Sequence, residues 1–163
     1  MPGIEALWGR SVFHCAFCDG WEVRDRPLAF LGSGPGAVRS ALVLAGWSND
    51  VVLCTDGAPD PGGALLAEAG VRVRTEPIAR LAGHGGRLEQ IEFSHGAAEP
   101  REALFVNTRR DQPNGFAAAL GCELTDAGTI VTDPDGRTSV SGVYAAGDAA
   151  TAHSRSVAAS PAA

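Results

Sequence analysis

The hydrophobic and polar positions between residues 26 and 54 predict a strand, a tight turn, a helix and a second strand. The run from Pro27 to Leu31 is apolar, a glycine-rich stretch follows, and apolar residues then recur at helical spacing as far as Ala45. Gly46 is suited to end that helix, and the apolar run Val51 to Cys54 is typical of a buried parallel strand. Together these segments predict a βαβ unit.

The rest of the chain adds shorter elements. A helix is expected at Ala64 to Ala69 and a third strand at Val71 to Arg74. From Pro77 to Phe105, runs with a period of two residues alternate with turn residues, which predicts an antiparallel meander. A helical turn at Phe116 to Leu120 and a last buried strand at Val143 to Ala146 complete the prediction. The side chains that we expect to be buried are Val38, Leu42, Val52, Leu53, Val71, Phe93, Phe105, Val106 and Val143.

Length and charge exclude several classes of protein. The 163 residues can form one core, or one full domain with part of another. All 13 basic residues are arginine, and the net charge of -6 gives no support to binding of nucleic acid through a basic face. No apolar run approaches the ~18 residues of a membrane-spanning helix, so we expect no membrane partner. Four cysteines, two paired closely and two alone, favour a reducing compartment, and we expect a cytoplasmic location.

Two cysteines three residues apart form the sharpest local feature of the chain. Cys15 and Cys18 stand in the sequence His-Cys-Ala-Phe-Cys-Asp-Gly, and such a pair can close a small disulfide ring and often holds one thiol at a lowered pKa. Half of a zinc site and two incidental thiols are the alternatives. Zinc would need further ligands, whereas Cys54 and Cys122 stand alone and the remaining histidines lie at no ligand spacing, so we expect no metal.

A glycine-rich turn lies between the first predicted strand and its helix. Its residues are Gly32, Ser33, Gly34, Pro35, Gly36 and Ala37, which match the dinucleotide-binding pattern G-x-G-x-x-G/A. Gly32 permits the tight turn, Gly34 lets the backbone approach a pyrophosphate, and the small Ala37 allows close packing of helix and strand. The amino terminus of the helix attracts the negative charge. This context predicts a nucleotide-binding site.

Two aspartates are further candidates for binding a ligand. Asp56 lies just past the second predicted strand, where an acidic residue usually binds the ribose hydroxyls of NAD, although a turn aspartate ahead of Gly57 is an equal alternative. Gly147 and Asp148 end the apolar run that starts at Val143. This places a carboxylate at the carboxyl end of a strand, where ligands of open α/β sheets bind; an ordinary turn is the alternative.

In this order and at these separations, the motifs resemble the pyridine nucleotide-disulfide oxidoreductase superfamily, and within it the low-molecular-weight thioredoxin reductase branch and its dithiol-oxidase relatives. The motif Cys15 to Gly20, the glycine turn and the closing Gly-Val-Tyr-Ala-Ala-Gly-Asp carry the resemblance. It implies an α/β fold: a Rossmann-like NAD(P)-binding domain with an antiparallel meander at residues 1–109, and a partial FAD-binding segment at residues 110–163.

The resemblance also implies a function. Electrons would pass from NAD(P)H through FAD to a disulfide of Cys15 and Cys18, with Cys18 on the flavin side and Cys15 reacting with the partner disulfide. Asp19 would be the acid that protonates the leaving thiolate, and Asp148 would hold the ribityl chain of FAD. The implied partner is a thioredoxin-like protein or a small dithiol or disulfide, and the full-length parent would be a homodimer.

Three departures from the family pattern define alternatives. The first FAD fingerprint is missing ahead of Met1, and the helix after Asp148 is short, so we expect a fragment truncated at both ends. The place of the basic cluster that selects NADPH holds Asp56. His14 ahead of the pair and Trp21 after it resemble the subgroup that oxidises small dithiols in sulfur-containing metabolites. A dithiol oxidase, or a nucleotide-binding remnant without turnover, is therefore the alternative function.

Overall fold

The structure is a computed structural model that describes residues 1–107 and 115–150. The chain divides into two compact units, residues 1–108 and 109–163. The identification of residues 1–109 and 110–163 with an NAD(P)-binding and an FAD-binding part stays a prediction. Among the described residues, no helix combines the length and the apolarity that crossing a bilayer requires.

The first unit contains eight strands and four helices within its described residues. The strands are β1 (Val12–Phe13), β2 (Leu28–Leu31), β3 (Val51–Cys54), β4 (Val71–Arg74), β5 (Ile78–His84), β6 (Arg87–Phe93), β7 (Glu99–Pro100) and β8 (Ala103–Val106). The helices are α1 (Ile4–Leu7), α2 (Ala16–Asp19), α3 (Gly34–Ala45) and α4 (Gly63–Glu68). The predicted βαβ unit corresponds to β2, α3 and β3, and its predicted boundaries agree with the structure to within a few residues.

A parallel five-stranded sheet with the order β1-β8-β2-β3-β4 forms the centre of this unit, and β5, β6 and β7 form a separate antiparallel sheet. Both faces of the parallel sheet are covered, which explains why its strands are runs of apolar residues. The face covered by α3 and α4 buries Phe13, Leu28, Phe30, Val51, Leu53, Ala103 and Phe105. The face covered by α1 and the antiparallel sheet buries Val12, Ala29, Val52, Cys54, Leu104 and Val106. The predicted α/β fold class is confirmed.

Two predictions about elements and burial in the first unit are wrong. The predicted meander extended to Phe105, but Ala103–Val106 joins the parallel sheet between β1 and β2, because all four of its residues are buried and can satisfy both faces there. Leu42 is only partly buried at the edge of the core. The other predicted core residues of the first unit are buried.

The second unit contains little regular structure among residues 115–150. It has one short helix, α5 (Phe116–Ala119), and a 3₁₀ helix (Gly147–Ala149). The strand predicted at Val143 to Ala146 is wrong: Tyr144 forms a single isolated bridge with Arg137, and Val143 is only partly buried. A strand needs a neighbour that pairs along its length, and residues 115–150 contain only isolated bridges, such as the one between Leu124 and Ile130.

A cluster of charged side chains fastens the antiparallel sheet to the parallel sheet. Glu99 of β7 is buried and accepts hydrogen bonds from Arg72 of β4 at 2.9 Å, from Arg74 of β4 at 3.1 Å and from Arg101 at 2.5 Å. Arg101 is almost fully buried, and its Nη1 lies 2.8 Å from a carboxylate oxygen of Asp50, which precedes β3. Buried charges are tolerated only when they are paired, so these residues depend on one another.

The pKa of Glu99 is lowered by its arginine partners. Burial alone would raise it, but the hydrogen bonds from Arg72 and Arg101 outweigh burial and lower the pKa to about 2. Because the pKa in the folded state is depressed, the carboxylate stabilises the fold above its ordinary value of 4.5, and this stabilisation is lost as the pH falls from 4.5 towards about 2.

We predict that Glu99→Gln lowers the free energy of unfolding by roughly 3 kcal/mol at neutral pH, because three guanidinium groups lose their shared anion. Denaturant unfolding followed by circular dichroism measures the change. Glu92→Gln is the matched control: Glu92 pairs with Arg80 at 2.7 Å on an exposed strand surface, and its loss should change stability far less. Equal effects of the two substitutions would contradict the role of the cluster.

Candidate redox and nucleotide site

The predicted site residues of the first unit lie along one edge of the parallel sheet. Phe13 of β1 pairs with Phe105 of β8, and Leu31 of β2 pairs with Val106. Continuing this register by one or two residues places Cys15 and Gly32 on opposite sides of Asn107. Neighbouring strands lie about 4.8 Å apart, so the redox pair and the glycine turn begin about 10 Å from each other.

The two cysteines lie on a single helical turn. Cys15 is the residue that caps α2, and its carbonyl oxygen accepts hydrogen bonds from the amides of Cys18 at 3.2 Å and Asp19 at 3.1 Å. Cys15 is partly buried, Cys18 is exposed, and neither forms a disulfide in this structure. The Cβ atoms of residues three apart on a helix lie about 5 to 6 Å from each other, whereas a disulfide needs about 3.8 Å. A small local movement can therefore close the bond.

Gly20 allows this turn to pack against the end of α3. A Cβ atom at residue 20 would lie 2.3 Å from the carbonyl oxygen of Ala16 and 2.8 Å from Nε1 of Trp47. Ala16 and Trp47 both pack against the core beneath α3. The glycine that follows the Cys-x-x-Cys-Asp sequence is therefore required by close approach, and it links the redox turn to the helix of the glycine fingerprint.

Ser11 holds the start of β1 in place. Its buried hydroxyl donates to the carbonyl oxygen of Gly86 at 3.0 Å and accepts a hydrogen bond from the amide of Leu88 at 2.9 Å, while its carbonyl oxygen accepts one from Leu104 at 2.8 Å. One serine thus joins β1 to β8 and to the β5–β6 hairpin. A strand of two residues is positioned by these bonds, and with it the cysteine that follows.

Asp19 has a pKa that suits a proton donor. Burial raises the pKa above its ordinary value, the charge of Glu22 raises it further, and the neighbouring His14 opposes the shift. A carboxyl group whose ionised form is disfavoured retains its proton to higher pH. Asp19 lies next to Cys18 in the sequence and on the same turn.

The glycine turn has the shape that a pyrophosphate requires. Gly32 donates to the carbonyl oxygen of Cys54 at 3.0 Å, and a Cβ atom there would lie 2.9 Å from the ring of Phe30. Gly34 adopts a left-handed φ of 71°, and Cβ atoms at Gly34 or Gly36 would meet no atom within 4 Å. The open side of the turn therefore leaves room for a ligand at the amino terminus of α3.

The other predicted residues of this turn also fit a nucleotide. Ser33 precedes α3 in an extended conformation, and Pro35 lies in its first turn, where a missing amide hydrogen has little effect. Ala37 is fully buried, as close packing of α3 on the sheet requires. No acidic residue lies in the first turn of the helix to repel a phosphate. The turn thus fits the pyrophosphate of NAD(P)H.

The sequence reasoning did not select Asn107. A Cβ atom at Gly32 would lie 3.6 Å from Nδ2 of Asn107, so this amide borders the glycine turn at the end of β8. The signal was present, because a polar side chain directly after a buried strand marks the edge where ligands bind. It was missed because Ala103–Val106 was assigned to the meander.

Asp56 forms part of a tight turn. It follows β3, adopts a left-handed φ of 51°, and one carboxylate oxygen accepts a hydrogen bond from the amide of Ile78 at 2.7 Å. The turn interpretation thus has direct support. The second carboxylate oxygen leaves binding of a ribose hydroxyl possible, and that role stays a prediction.

Gly147 and Asp148 lie in the second unit. Gly147 has a left-handed φ of 70° and opens the 3₁₀ helix, and Asp148 is exposed in its first turn. The 3₁₀ helix is fixed by a hydrogen bond of 2.8 Å from the amide of Ile130 to the carbonyl oxygen of Ala149. A carboxylate presented on a fixed turn fits a hydroxyl-bearing chain such as the ribityl group of FAD.

The two remaining cysteines are both buried. Cys54 is fully buried in β3, and burial, helped by the charge of Glu99, raises the pKa of its thiol to about 12. Cys122 is buried in the second unit, 3.6 Å from the hydroxyl of Thr138. Within residues 1–107 and 115–150, no group of three or more His, Cys, Asp or Glu side chains could hold a metal ion.

Comparison with known proteins decides the family. The model of the pyridine nucleotide-disulphide oxidoreductase family matches residues 1–163, the whole chain. The chain belongs to this family. The predicted resemblance to thioredoxin reductases is confirmed, and FAD and NAD(P)H, the predicted cofactors, are those of the family.

Individual family members are similar over almost the whole chain. Thioredoxin reductase tcpT of Claviceps purpurea is 33% identical over 159 residues, which cover 91% of this chain and 50% of the relative. The crystal structure of HlmI has a TM-score of 0.85 at 38% identity and covers 98% of this chain and 51% of that protein. An oxidoreductase from Agrobacterium tumefaciens has a TM-score of 0.83 at 33% identity, covering 98% of this chain and 54% of that one. The chain spans about half the length of the curated relatives it matches.

Several predictions remain predictions after this comparison. These are the roles of Cys15, Cys18, Asp19 and the nucleotide-binding residues, the domain boundaries, the cytoplasmic location and the homodimer. The same holds for the two alternative functions, dithiol oxidation and a remnant without turnover.

We predict that the reduced native protein shows two fast-reacting thiols and two slow ones. The thiols of Cys15 and Cys18 are accessible, whereas Cys54 and Cys122 are buried and a neutral buried thiol is a poor nucleophile. Titration with 5,5′-dithiobis(2-nitrobenzoate), before and after unfolding in guanidinium, counts them. Cys15→Ser should lower the fast count to one. Three or four fast thiols in the folded protein would contradict this assignment.

Proposed function

We propose that this chain carries the dithiol/disulfide exchange centre and the nucleotide-binding turn of an FAD- and NAD(P)H-dependent disulfide reductase of thioredoxin reductase type. The observation that carries the proposal is the shared sheet edge. The redox turn follows β1 and the glycine turn follows β2, and both strands pair with β8, so the redox pair and the nucleotide turn lie at the carboxyl edge of one sheet. When bound, NAD(P)H supplies a hydride and FAD passes the electrons on to the cysteine pair.

The cysteine pair reduces a substrate disulfide in two exchanges. The Cys15 thiolate attacks one substrate sulfur, forming a Cys15–substrate disulfide and breaking the substrate S–S bond, and the departing sulfur takes a proton. The Cys18 thiolate then attacks the Cys15 sulfur, which releases the second substrate thiol. Two electrons leave the pair, so a Cys15–Cys18 disulfide replaces two thiols and the substrate gains two thiols.

Asp19 acts as the proton donor in this scheme. A thiolate that leaves with a proton is a far better leaving group, and burial raises the pKa of Asp19, so that its carboxyl keeps a proton to higher pH than an ordinary aspartate. Asp19 also lies on the turn that carries both cysteines, because its amide is bound to the carbonyl oxygen of Cys15. The backbone of Asp19 is therefore fixed to the same turn as the two cysteines.

Exposed aromatic side chains next to the pair support a substrate that presents an apolar surface. Phe17, between the two cysteines, is 58% exposed, and Trp21, just after them, is 61% exposed. The guanidinium of Arg24 lies 3.9 Å from the centre of the Trp21 ring and donates to the Trp21 carbonyl oxygen at 2.8 Å, which fixes that side chain. We assign a thioredoxin-like protein or a small disulfide as the substrate.

The order of attack is tested with single serine variants. Exposure alone would favour attack by Cys18, which is the more exposed thiol, whereas the proposal assigns attack to Cys15. We predict that Cys18→Ser forms a lasting mixed disulfide with a disulfide-activated thioredoxin, because the second thiol is absent, and that Cys15→Ser forms at least tenfold less. Non-reducing gel electrophoresis and intact mass measure the adducts. More adduct with Cys15→Ser would reverse the order, and no adduct with either variant would overturn the proposal.

A second prediction concerns Asp19. Asp19→Asn should slow the exchange about 100-fold below the pKa of Asp19, because the proton donor is lost. The rates of the wild type and the variant should converge as the pH rises above that pKa, where wild-type Asp19 has also lost its proton. Stopped-flow measurement of the pH–rate profile tests this.

The stability of the Asp19→Asn variant is the control. Since the raised pKa means that ionised Asp19 is disfavoured in the folded state, the variant should be at least as stable as the wild type at neutral pH. A uniform loss of rate at every pH would indicate that Asp19 only supports the turn.

A further inference from the structure

The turn after β3 lies beside the start of the glycine turn. Gly32 donates to the carbonyl oxygen of Cys54, the last residue of β3, and Asp56 follows two residues later. In dinucleotide-binding βαβ units, the side chain that follows the second strand faces the adenosine ribose, and it distinguishes a 2′-hydroxyl from a 2′-phosphate. Asp56 therefore occupies the position that selects between NADH and NADPH.

The carboxylate of Asp56 is held rigidly. Asp56 and Gly57 both have left-handed φ values, 51° and 89°, and the amide of Ala58 donates to the carbonyl oxygen of Thr55 at 3.2 Å, which is the pattern of a type I′ turn. The buried hydroxyl of Thr55 donates to the carbonyl oxygen of Ala58 and closes the turn a second time. The hydrogen bond from the amide of Ile78 then fixes the side chain of Asp56.

The charge around this turn is negative. Residues 55–63 contain two carboxylates and no basic residue. The second carboxylate, Asp60, accepts hydrogen bonds from the amides of Gly62 at 2.9 Å and Gly63 at 3.0 Å. It therefore caps α4 and keeps its charge close to the same loop.

The arginine that pairs with the end of β3, just before this turn, already binds other groups. Arg74 pairs with Cys54 across β3 and β4, but its guanidinium binds Glu76 and Glu99, donates to the carbonyl oxygen of Ala97 and lies 4.1 Å from the centre of the Phe93 ring. Swinging it towards a phosphate would leave Glu99 with fewer of its partners in the buried cluster. A 2′-phosphate would therefore gain no counter-charge from this arginine.

We propose that this chain selects NADH over NADPH through the fixed carboxylate of Asp56. One oxygen of the carboxylate holds the turn, and the other accepts a hydrogen bond from the 2′-hydroxyl of the ribose. A 2′-phosphate carries about two negative charges and would be repelled by this carboxylate. The proposal rests on the proposed function in one respect only, namely that the glycine turn binds the nucleotide.

Direct binding tests the proposal without turnover. Dissociation constants of NADH and NADPH for the full chain are measured by calorimetry, and we expect NADH to bind at least tenfold more tightly. Asp56→Asn keeps an oxygen for the Ile78 amide but removes the charge, and should reduce the ratio of the two constants to about threefold or less. Asp60→Asn removes one charge from the same loop and keeps the cap of α4, so as the matched control it should leave the ratio within twofold of wild type.

Three outcomes would overturn the proposal: NADPH binding as tightly as NADH, equal effects of Asp56→Asn and Asp60→Asn on the ratio, or no binding of either nucleotide. Competition between 5′-ADP and 2′,5′-ADP adds a readout at the ribose alone. A Cys15→Ser, Cys18→Ser double variant should keep the preference for NADH. If the preference is present but the wild-type cysteines never exchange with a disulfide, the proposed function fails and the nucleotide selection stands.

Discussion

All five strands of the larger sheet run in the same direction, so the segments that follow them emerge along one edge. This shared direction brings together residues that are far apart in the sequence: the redox turn after β1, the glycine turn after β2, Asp56 after β3 and Asn107 after β8. The backbone hydrogen bonds of the sheet fix the separations between these segments. A change in strand order would preserve every motif and still separate the cysteines from the nucleotide turn.

The parts of the fold that are specified locally could be predicted from the sequence. The β2–α3–β3 unit has long apolar runs, a glycine-rich turn and helical periodicity, and each of these signals acts within a few residues. The sequence predicts the wrong sheet for β8, because a short apolar run contains no information about which strands pair with it. The same physics explains the failure at Val143 to Ala146, where an apolar run has no extended partner among the described residues. The two-residue strand β1 depends on Ser11, whose bonds reach residues more than 70 positions away.

The chemistry of the site was easier to predict than its arrangement. Residue type and spacing were enough to predict the pair Cys15 and Cys18 and the glycine turn, and family membership supports both. The environment of Asp19 could not be predicted, because burial of that carboxyl depends on packing around α2. Asp56 had two equal interpretations in the sequence; the hydrogen bond from the amide of Ile78 supports the turn interpretation, and ribose binding stays a prediction.

The buried charge cluster around Glu99 has a consequence for how this protein can diverge. Three guanidinium groups share the buried carboxylate of Glu99, and a substitution at Glu99 leaves the buried Arg101 without this counter-charge. Members of such a group can therefore be exchanged only together, for example by a concerted replacement with apolar side chains of similar volume. Among homologues that keep this arrangement, the identities at positions 72, 74, 99 and 101 should covary as a block, while the exposed pair of Arg80 and Glu92 drifts freely.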